Sequence, residues 1–359
     1  MAKGYAPDEG GMQTYAQGVA EAWAATGAAV TVFSQTSLGP RGERLGGIEL
    51  IDIGPGKSPL VPWRFLKAMR AERTASGVPA FVHATTWRTA VLPMLLALPY
   101  AVTFHGREFM YGGALTLRLM RAVASRAQAV VTVSHFSRKR LLDRLGGLRA
   151  DPIVAWNGLS GPAARRIDIP PGHSPLLFSL CRLEPRKNIA AAVRACAQLR
   201  HEGTPFRYII GGRGPELDRI TALVAELSLN GVVDVAGFVE SGRAAELHAE
   251  ADVFIHPQIE VDEGRDFEGF GIAIADAMAA ETAVIVGKDG GTPELVEQGV
   301  TGLIVDGAND GDLVDALRRM LADVAGRQAM AAAARAHAEE TFHWDRHVAL
   351  IAGALSDGK

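Results

Sequence analysis

Cysteine is nearly absent from this chain: Cys181, in an apolar strand-like run, and Cys196, in an Ala-rich helical one, are the only two. Neither belongs to a CxxC or similar ligand spacing, so a disulfide framework is excluded, and both read as small buried hydrophobes in a reducing compartment. The ten histidines form no HExxH and no paired spacing, so a structural metal is not expected. Charge of one sign is also lacking, since the formal balance is -3, which removes any bulk electrostatic argument for nucleic acid or an acidic partner. No apolar run approaches the roughly 18 residues that a bilayer span needs, and the start "MAKGYAPDEGG" has no signal-peptide core. A cytoplasmic protein is expected. There is no GxSxG, no Walker lysine loop and no Cys/His pair of nucleophilic type. "GGRGPE" (211 to 216) follows a strand-like run but is not GxGxxG, and no acidic residue follows at dinucleotide spacing, which argues against a nicotinamide enzyme.

What is present is length and alternation. A chain of 359 residues, 48% hydrophobic, is long for one core and favours two domains. Short β-rich runs alternate with helical periods: "AAVTVF", "IELIDI", "AFVHA", "YAVTFH", "AVVTVS" and "DPIVAW" before residue 157, then "PLLFSLCRL", "RYIIGG", "VVDVAGF", "DVFIHP", "AVIVG" and "TGLIVD" after 174. Several are continuously apolar, as in parallel strands covered on both faces, so two doubly wound α/β lobes are predicted. The Gly- and Pro-rich stretch 157 to 175 reads as the linker between them. Beyond Asp306 the chain is helical, and Phe342, Val348 and Ile351 define an apolar face near its end. Only nine residues precede Gly10, so the first strand of the first lobe is very short or missing, as when a start lies inside a longer reading frame.

Four clusters carry chemistry. Asp276 lies in a helical run whose neighbours three and four positions away are Ile272, Ala273, Ala279 and Ala280, so the helix offers it no partner. A half-buried carboxylate needs donors, from the protein or from ligand hydroxyls. That helix opens on "EGFG", where bare N–H groups at the positive end of the dipole make an anion site; Glu268 stands just before it, either as a cap or beside the anion. In "CRLEPRKN", Arg182 ends a strand, and Arg186 and Lys187 precede a helix at the end where cations are disfavoured by ~0.3 to 1 kcal/mol each. A diphosphate would turn that penalty into attraction, and Glu184 could instead screen the charges. Gly10 and Gly11 sit at the start of a helix bearing Met12, Tyr15, Val19 and Trp23 at helical spacing; they permit close approach of a phosphate or form a plain turn. His105 closes "YAVTFH" at the sheet edge where open α/β sheets bind ligands.

Taken together, "PDEGGMQTY", "TFHG", "VSHFS", "WNG", "CRLEPRKN", "FEGFGIAIADAMA" and "AVIVGKDGGTPELVEQGVTGLIV", in this order, resemble glycosyltransferase family 4 over nearly the whole chain. The resemblance implies the GT-B fold: two doubly wound Rossmann-like domains facing a central cleft, with an acceptor-side domain over 1–160, a donor-binding domain over 161–338 and a helix over 339–359 crossing back to the first. It implies a retaining, metal-independent transferase that moves a sugar from a nucleotide-sugar to a hydroxyl of a glycan, lipid-linked or small-molecule acceptor, with no cofactor beyond that co-substrate. Glu268 and Asp276 occupy its two acidic positions, for sugar hydroxyls and for ribose, although the family usually has Glu at the second. Arg182 and Lys187 would hold the diphosphate with backbone groups of Gly10, Gly11, Phe270 and Gly271, His105 would touch the donor sugar, and Gly212 with Phe238 and Val239 would border the base. A nucleotide-sugar 2-epimerase and a non-catalytic nucleotide-sugar binder are the alternatives. The basic segments 61 to 73 and 137 to 149 suit either solvated helix faces or peripheral contact with the inner face of the plasma membrane, and no nucleic-acid partner is expected.

Overall fold

The computed structural model describes residues 1–357 apart from 9, 56–59, 78, 163, 165 and 168–171. Part of the linker expected over 157 to 175 therefore lies outside the described residues. The chain divides into two compact units, Met1–Gly158 with His343–Lys359, and Leu159–Phe342. The segment His343–Lys359 belongs to the first unit.

In the first unit, α1 (Gly11–Ala25) is followed by β1 (Thr31–Ser34), β2 (Arg41–Leu45), β3 (Ile48–Asp52), α2 (Val61–Ser76), β4 (Val82–Ala84), α3 (Trp87–Leu95), β5 (Tyr100–Phe104), α4 (Arg107–Met110), α5 (Ala114–Arg126), β6 (Ala129–Thr132), α6 (His135–Leu145) and β7 (Ile153–Val154). Two sheets form, β1-β3-β2 and β4-β5-β6-β7. Met1 and Ala2 stand between their edges: the Ala2 N–H donates to the Phe33 carbonyl at 2.9 Å and the Thr85 N–H to the Met1 carbonyl at 3.0 Å. The expected first strand is thus reduced to two residues' worth of hydrogen bonds. β2, which pairs antiparallel with β3, was not anticipated, because "RGERL" shows charge rather than apolar alternation.

The second unit runs β8 (Leu176–Leu180), a short turn of 3-10 helix at Pro185–Lys187, α7 (Ile189–His201), β9 (Arg207–Gly211), α8 (Leu217–Glu226), β10 (Val233–Gly237), α9 (Ser241–Glu250), β11 (Val253–His256), α10 (Ile272–Ala279), β12 (Ala283–Gly287), β13 (Leu303–Val305), α11 (Asp310–Ala322) and α12 (Val324–Thr341). Its strands are all parallel, in the order β10-β9-β8-β11-β12-β13. Numbered within the unit, that order is the one in which the chain reverses direction between its first and fourth strands, which opens a crevice beyond the carboxyl ends of β8 and β11. The interior is mainly aliphatic, with Leu177, Ile255 and Ile285 fully buried beside the ring of Tyr208. Burial on both faces explains why these strands read as unbroken apolar runs.

The final helix, α13 (Trp344–Asp357), returns to the first unit and packs against α1. An added Cβ at Gly18 or Gly158 would strike the Trp344 side chain, so two glycines make room for one indole. Val348 and Ile351 are buried there, while Phe342 is buried in the second unit, edge-on to Phe270 at 5.7 Å.

Candidate active site

The crevice of the second unit is fed by two strand ends. After β8 the chain passes through Cys181 and Arg182 into the turn at Pro185–Lys187; β11 ends on His256 and passes into Pro257 and Gln258. Asn188 makes the corner sharp, at φ 53°, and its side-chain amide donates to the carbonyls of Pro257 at 3.1 Å and Gly307 at 2.6 Å. Lys187 is thereby turned inward. Its side chain is only 8% exposed, and its ammonium donates to the Glu268 carboxylate and lies 3.3 Å from His256 Nε2.

Glu268 is gripped on a second side by Arg186, whose Nε lies 3.6 Å from Glu268 Oε2. Burial pushes the Glu268 carboxyl up, but Lys187 and then Arg186 pull harder, and the balance brings it down to about 2. It is ionised at any physiological pH. Its backbone is seated just as firmly: the Gly291 N–H donates to the Glu268 carbonyl at 2.8 Å, and a Cβ on Gly290 (φ 80°) would come within 2.6 Å of that oxygen. Gly290 of "KDGGTPE" is the glycine needed for that approach. From Glu268 the chain reaches buried Phe270 and then Gly271, which at φ 94° caps α10 in a conformation favouring glycine. Glu268, Lys187, Arg186 and the start of α10 therefore belong to one assembly, and the disfavoured placement of cations seen in the sequence is answered by Glu268.

Arg182 is far more exposed than Arg186 and Lys187. Its side chain is 72% exposed and pairs with Glu184 at 3.2 Å, whereas Arg186 is the arginine set against Glu268. Glu184 also accepts from Arg186, so it does screen these cations, one of the two roles left open for it. Asp276 resolves toward protein donors: the Ser160 N–H donates to Oδ1 at 2.8 Å and the Ser160 hydroxyl to Oδ2 at 2.6 Å. In this structure Ser160 supplies a donor to each carboxylate oxygen, so the protein itself satisfies Asp276. Burial still outweighs these two bonds and raises the Asp276 carboxyl to about 6.

Gly212, Phe238 and Val239 collect at the neighbouring ends of β9 and β10. The Gly212 N–H donates to the Gly237 carbonyl at 2.6 Å, and any Cβ there would collide with the Cys181 carbonyl, so this glycine is fixed by packing. Phe238 is 48% exposed, with the Arg213 guanidinium 4.5 Å from its ring centre.

Within the first unit, His105 follows β5. Its Nε2–H donates to the Thr85 carbonyl at 2.8 Å, its ring meets Tyr15 edge-on at 4.5 Å, and burial lowers its pKa, so it is neutral. Gly10 caps α1 at φ 141°, and nothing lies within 4 Å of a Cβ built on Gly11. Three functional candidates escaped the sequence reading, namely Ser160, Arg186 as the inward arginine, and His256. His256 is the last residue of β11, and the partner that singles it out, Lys187, is distant in sequence.

The comparisons with known proteins agree with this architecture. A family model described as Glycosyl transferases group 1 matches residues 162–337, and one described as Glycosyltransferase Family 4 matches residues 9–159. A GDP-mannose-dependent alpha-(1-6)-phosphatidylinositol monomannoside mannosyltransferase of Mycobacterium tuberculosis is 30% identical over 289 residues, covering 76% of this chain and 75% of that one. A D-inositol 3-phosphate glycosyltransferase of Acidothermus cellulolyticus is 27% identical, covering 98% of this chain and 86% of that one. Among solved structures, the sucrose-phosphate synthase of Thermosynechococcus elongatus superposes with a TM-score of 0.81 at 21% identity, covering 99% of this chain and 95% of that one. Anabaena HepE in complex with UDP and glucose superposes at 0.77 and 20% identity, covering 98% and 97%. The fold is GT-B. The chain belongs to glycosyltransferase family 4, and it is a glycosyltransferase rather than an epimerase.

Proposed function

We propose that this glycosyltransferase takes a nucleoside diphosphate sugar as donor and transfers the sugar, with retention of configuration and without a metal, to a hydroxyl of a glycan, lipid-linked or small-molecule acceptor. The observation that carries the reading is the buried Lys187, held with Arg186 against Glu268 where the parallel sheet reverses direction and beside the glycine-capped start of α10. As the bond from the anomeric carbon to the phosphate oxygen breaks, negative charge grows on the diphosphate. Lys187, Arg182 and the amides at the start of α10 stabilise that charge more in the transition state than in the ground state. Fixed cations do the work that a divalent ion does elsewhere. Glu268, with its carboxyl near 2, is too weak a base to take the acceptor's proton, and so it serves sugar hydroxyls. A phosphate oxygen of the leaving group takes the proton, on the face from which the acceptor oxygen bonds to the anomeric carbon. His105, neutral and fixed by Thr85, lies against the donor sugar, and Asp276 exchanges Ser160 for ribose hydroxyls.

The named relatives use GDP-mannose with a phosphatidylinositol monomannoside, or D-inositol 3-phosphate, and HepE binds UDP, which supports the donor class and phosphorylated or lipid-linked acceptors. α2 exposes Trp63 at 62%, next to Leu60 at 58%, and carries Arg64, Lys67, Arg70 and Arg73, a pattern suited to an anionic lipid surface. No helix among the described residues is long and apolar enough to cross a membrane. The basic, partly apolar α2 is what supports peripheral contact, which we propose is with the inner face of the plasma membrane, from the cytoplasm.

Release of nucleoside diphosphate from a panel of donors and acceptors, in buffer containing a chelator, tests the reading. Glu268→Ala and Lys187→Ala should each lower kcat/KM by more than ~10-fold, since a charge-assisted contact contributes over ~1.4 kcal/mol. Wild-type turnover in both, or an absolute need for added metal, refutes it.

A further inference from the structure

We infer that His256, which belongs to none of the signatures of the family resemblance, is a positioning residue for the transfer: its Nε2 lone pair holds the Lys187 ammonium in place without cancelling its charge. The inference rests on the reading that Lys187 meets the diphosphate.

The argument starts from two groups of unambiguous polarity. The Gly287 N–H donates to Gln258 Oε1 at 3.1 Å, and the carbonyls of Gly287 and Asp289 accept from Gln258 Nε2 at 2.8 Å and 3.0 Å. A backbone N–H only donates and a carbonyl only accepts, so the orientation of the Gln258 amide is fixed by the backbone. The Thr292 hydroxyl also faces Nε2. His256 Nδ1 lies 2.8 Å from Gln258 Oε1, an oxygen that can only accept, so Nδ1 must carry the ring proton. Nε2 is then a bare lone pair, and it faces the Lys187 ammonium at 3.3 Å. The tautomer is dictated by main-chain atoms one side chain away, on the far side of Gln258.

Burial locks the arrangement. His256 is 1% exposed and Gln258 fully buried, and desolvation, aided by Lys187, lowers the His256 pKa to about 4. An acid in the position of His256 would neutralise Lys187, and an apolar residue would leave a buried ammonium one partner short. A neutral acceptor avoids both. Lys187 then spends one N–H on Glu268 and one on His256, and the third is available for a phosphate oxygen. The same Gln258 ties this lysine to the loop 287–292, where Gly291 supports the backbone of Glu268.

Two substitutions separate positioning from plain packing. His256→Asn keeps a polar group on the Gln258 side and loses the acceptor facing Lys187; His256→Gln places an oxygen near the position of Nε2. Donor titration of turnover and nucleoside diphosphate affinity are measured for both, beside Lys187→Ala, with melting temperature as the check on folding. His256→Asn should lose ~10-fold or more in kcat/KM and in nucleoside diphosphate affinity, as for a lost hydrogen bond to a charged group, while His256→Gln stays within ~3-fold of wild type. The idea is overturned if the asparagine variant turns over normally while Lys187→Ala is impaired, or if both His256 variants fail equally with unchanged melting. If Lys187→Ala itself behaves as wild type, the underlying reading falls instead. Should the asparagine variant not fold, His256→Gln alone decides, because loss of its activity contradicts a role that an oxygen acceptor can fill.

Discussion

Replacing Glu268 by Gln should make the protein less stable, yet a tighter binder of the leaving group. In the native site Lys187 and Arg186 share this carboxylate at side-chain exposures of 8%, 14% and 15%, so solvent does little to screen them. Breaking a buried pair from one side leaves charge without compensation and costs about 3–5 kcal/mol. A glutamine carbonyl still accepts from Lys187, which argues for the lower end. At about 3 kcal/mol, and ~2–4 °C per kcal/mol for a domain of this size, the transition of the second unit should fall by roughly 6–12 °C at pH 7. A nucleoside diphosphate brings new negative charge to the same cations. Its stabilisation, which grows as the logarithm of ligand over Kd, should exceed that of wild type at equal concentration. Turnover should fall all the same, because the contact to sugar hydroxyls is lost. The pH dependence has a definite sign: the Glu268 carboxyl lies below its ordinary 4.5 in the folded protein, so its contribution is complete above that value and disappears as pH falls through about 2. The gap between the proteins should close over that window. Differential scanning fluorimetry with and without UDP or GDP, from pH 7 downward, is sufficient. A transition within ~2 °C of wild type, or a ligand shift smaller than that of wild type, refutes the reasoning.

Asp276 carries the opposite sign. Its folded carboxyl is raised to about 6, so its charge is a burden that is fully present above about 6 and relieved as pH falls toward 3.8. Asp276→Asn should therefore melt higher than wild type at pH 7.5, with the advantage vanishing near pH 4; an advantage that grows on acidification contradicts the assignment. The two glycine sites should part ways. Gly212→Ala drives a Cβ into the Cys181 carbonyl at φ 139° and should destabilise by more than about 2 kcal/mol in urea melts. Gly11→Ala meets open space and should leave stability unchanged or raised by ~0.5–1 kcal/mol, while weakening donor affinity. Equal destabilisation of both would show that Gly11 is structural.

The sequence was most legible where burial on both faces writes a continuous apolar run. β12 spans the residues marked in advance, Ala283–Gly287, and β8, β9 and β11 lie inside their expected runs. β2 was invisible because an edge strand such as "RGERL" keeps both faces wet: Arg41 and Glu43 are half-buried, Gly42, Arg44 and Leu45 are exposed, and no apolar periodicity results. At the site, Lys187 and Glu268 were found from chemistry in the wrong place, a cation at a helix start and an acid among glycines. Ser160 and His256 were missed for a common reason: each acts on a partner more than 60 residues away, Asp276 and Lys187, and no local spacing encodes such a pair. Arg182 and Arg186, four positions apart, could not be ranked without knowing which side chain turns inward.

The central claim, that the diphosphate of the donor is held by Lys187 beside the start of α10, is tested most directly by calorimetric titration of a nucleoside monophosphate and the matching diphosphate into wild type and Lys187→Ala. In wild type the second phosphate should improve affinity by ~10-fold or more, the yield of one charge-assisted contact, and Lys187→Ala should abolish most of that increment. An increment of equal size in both proteins would place the diphosphate elsewhere.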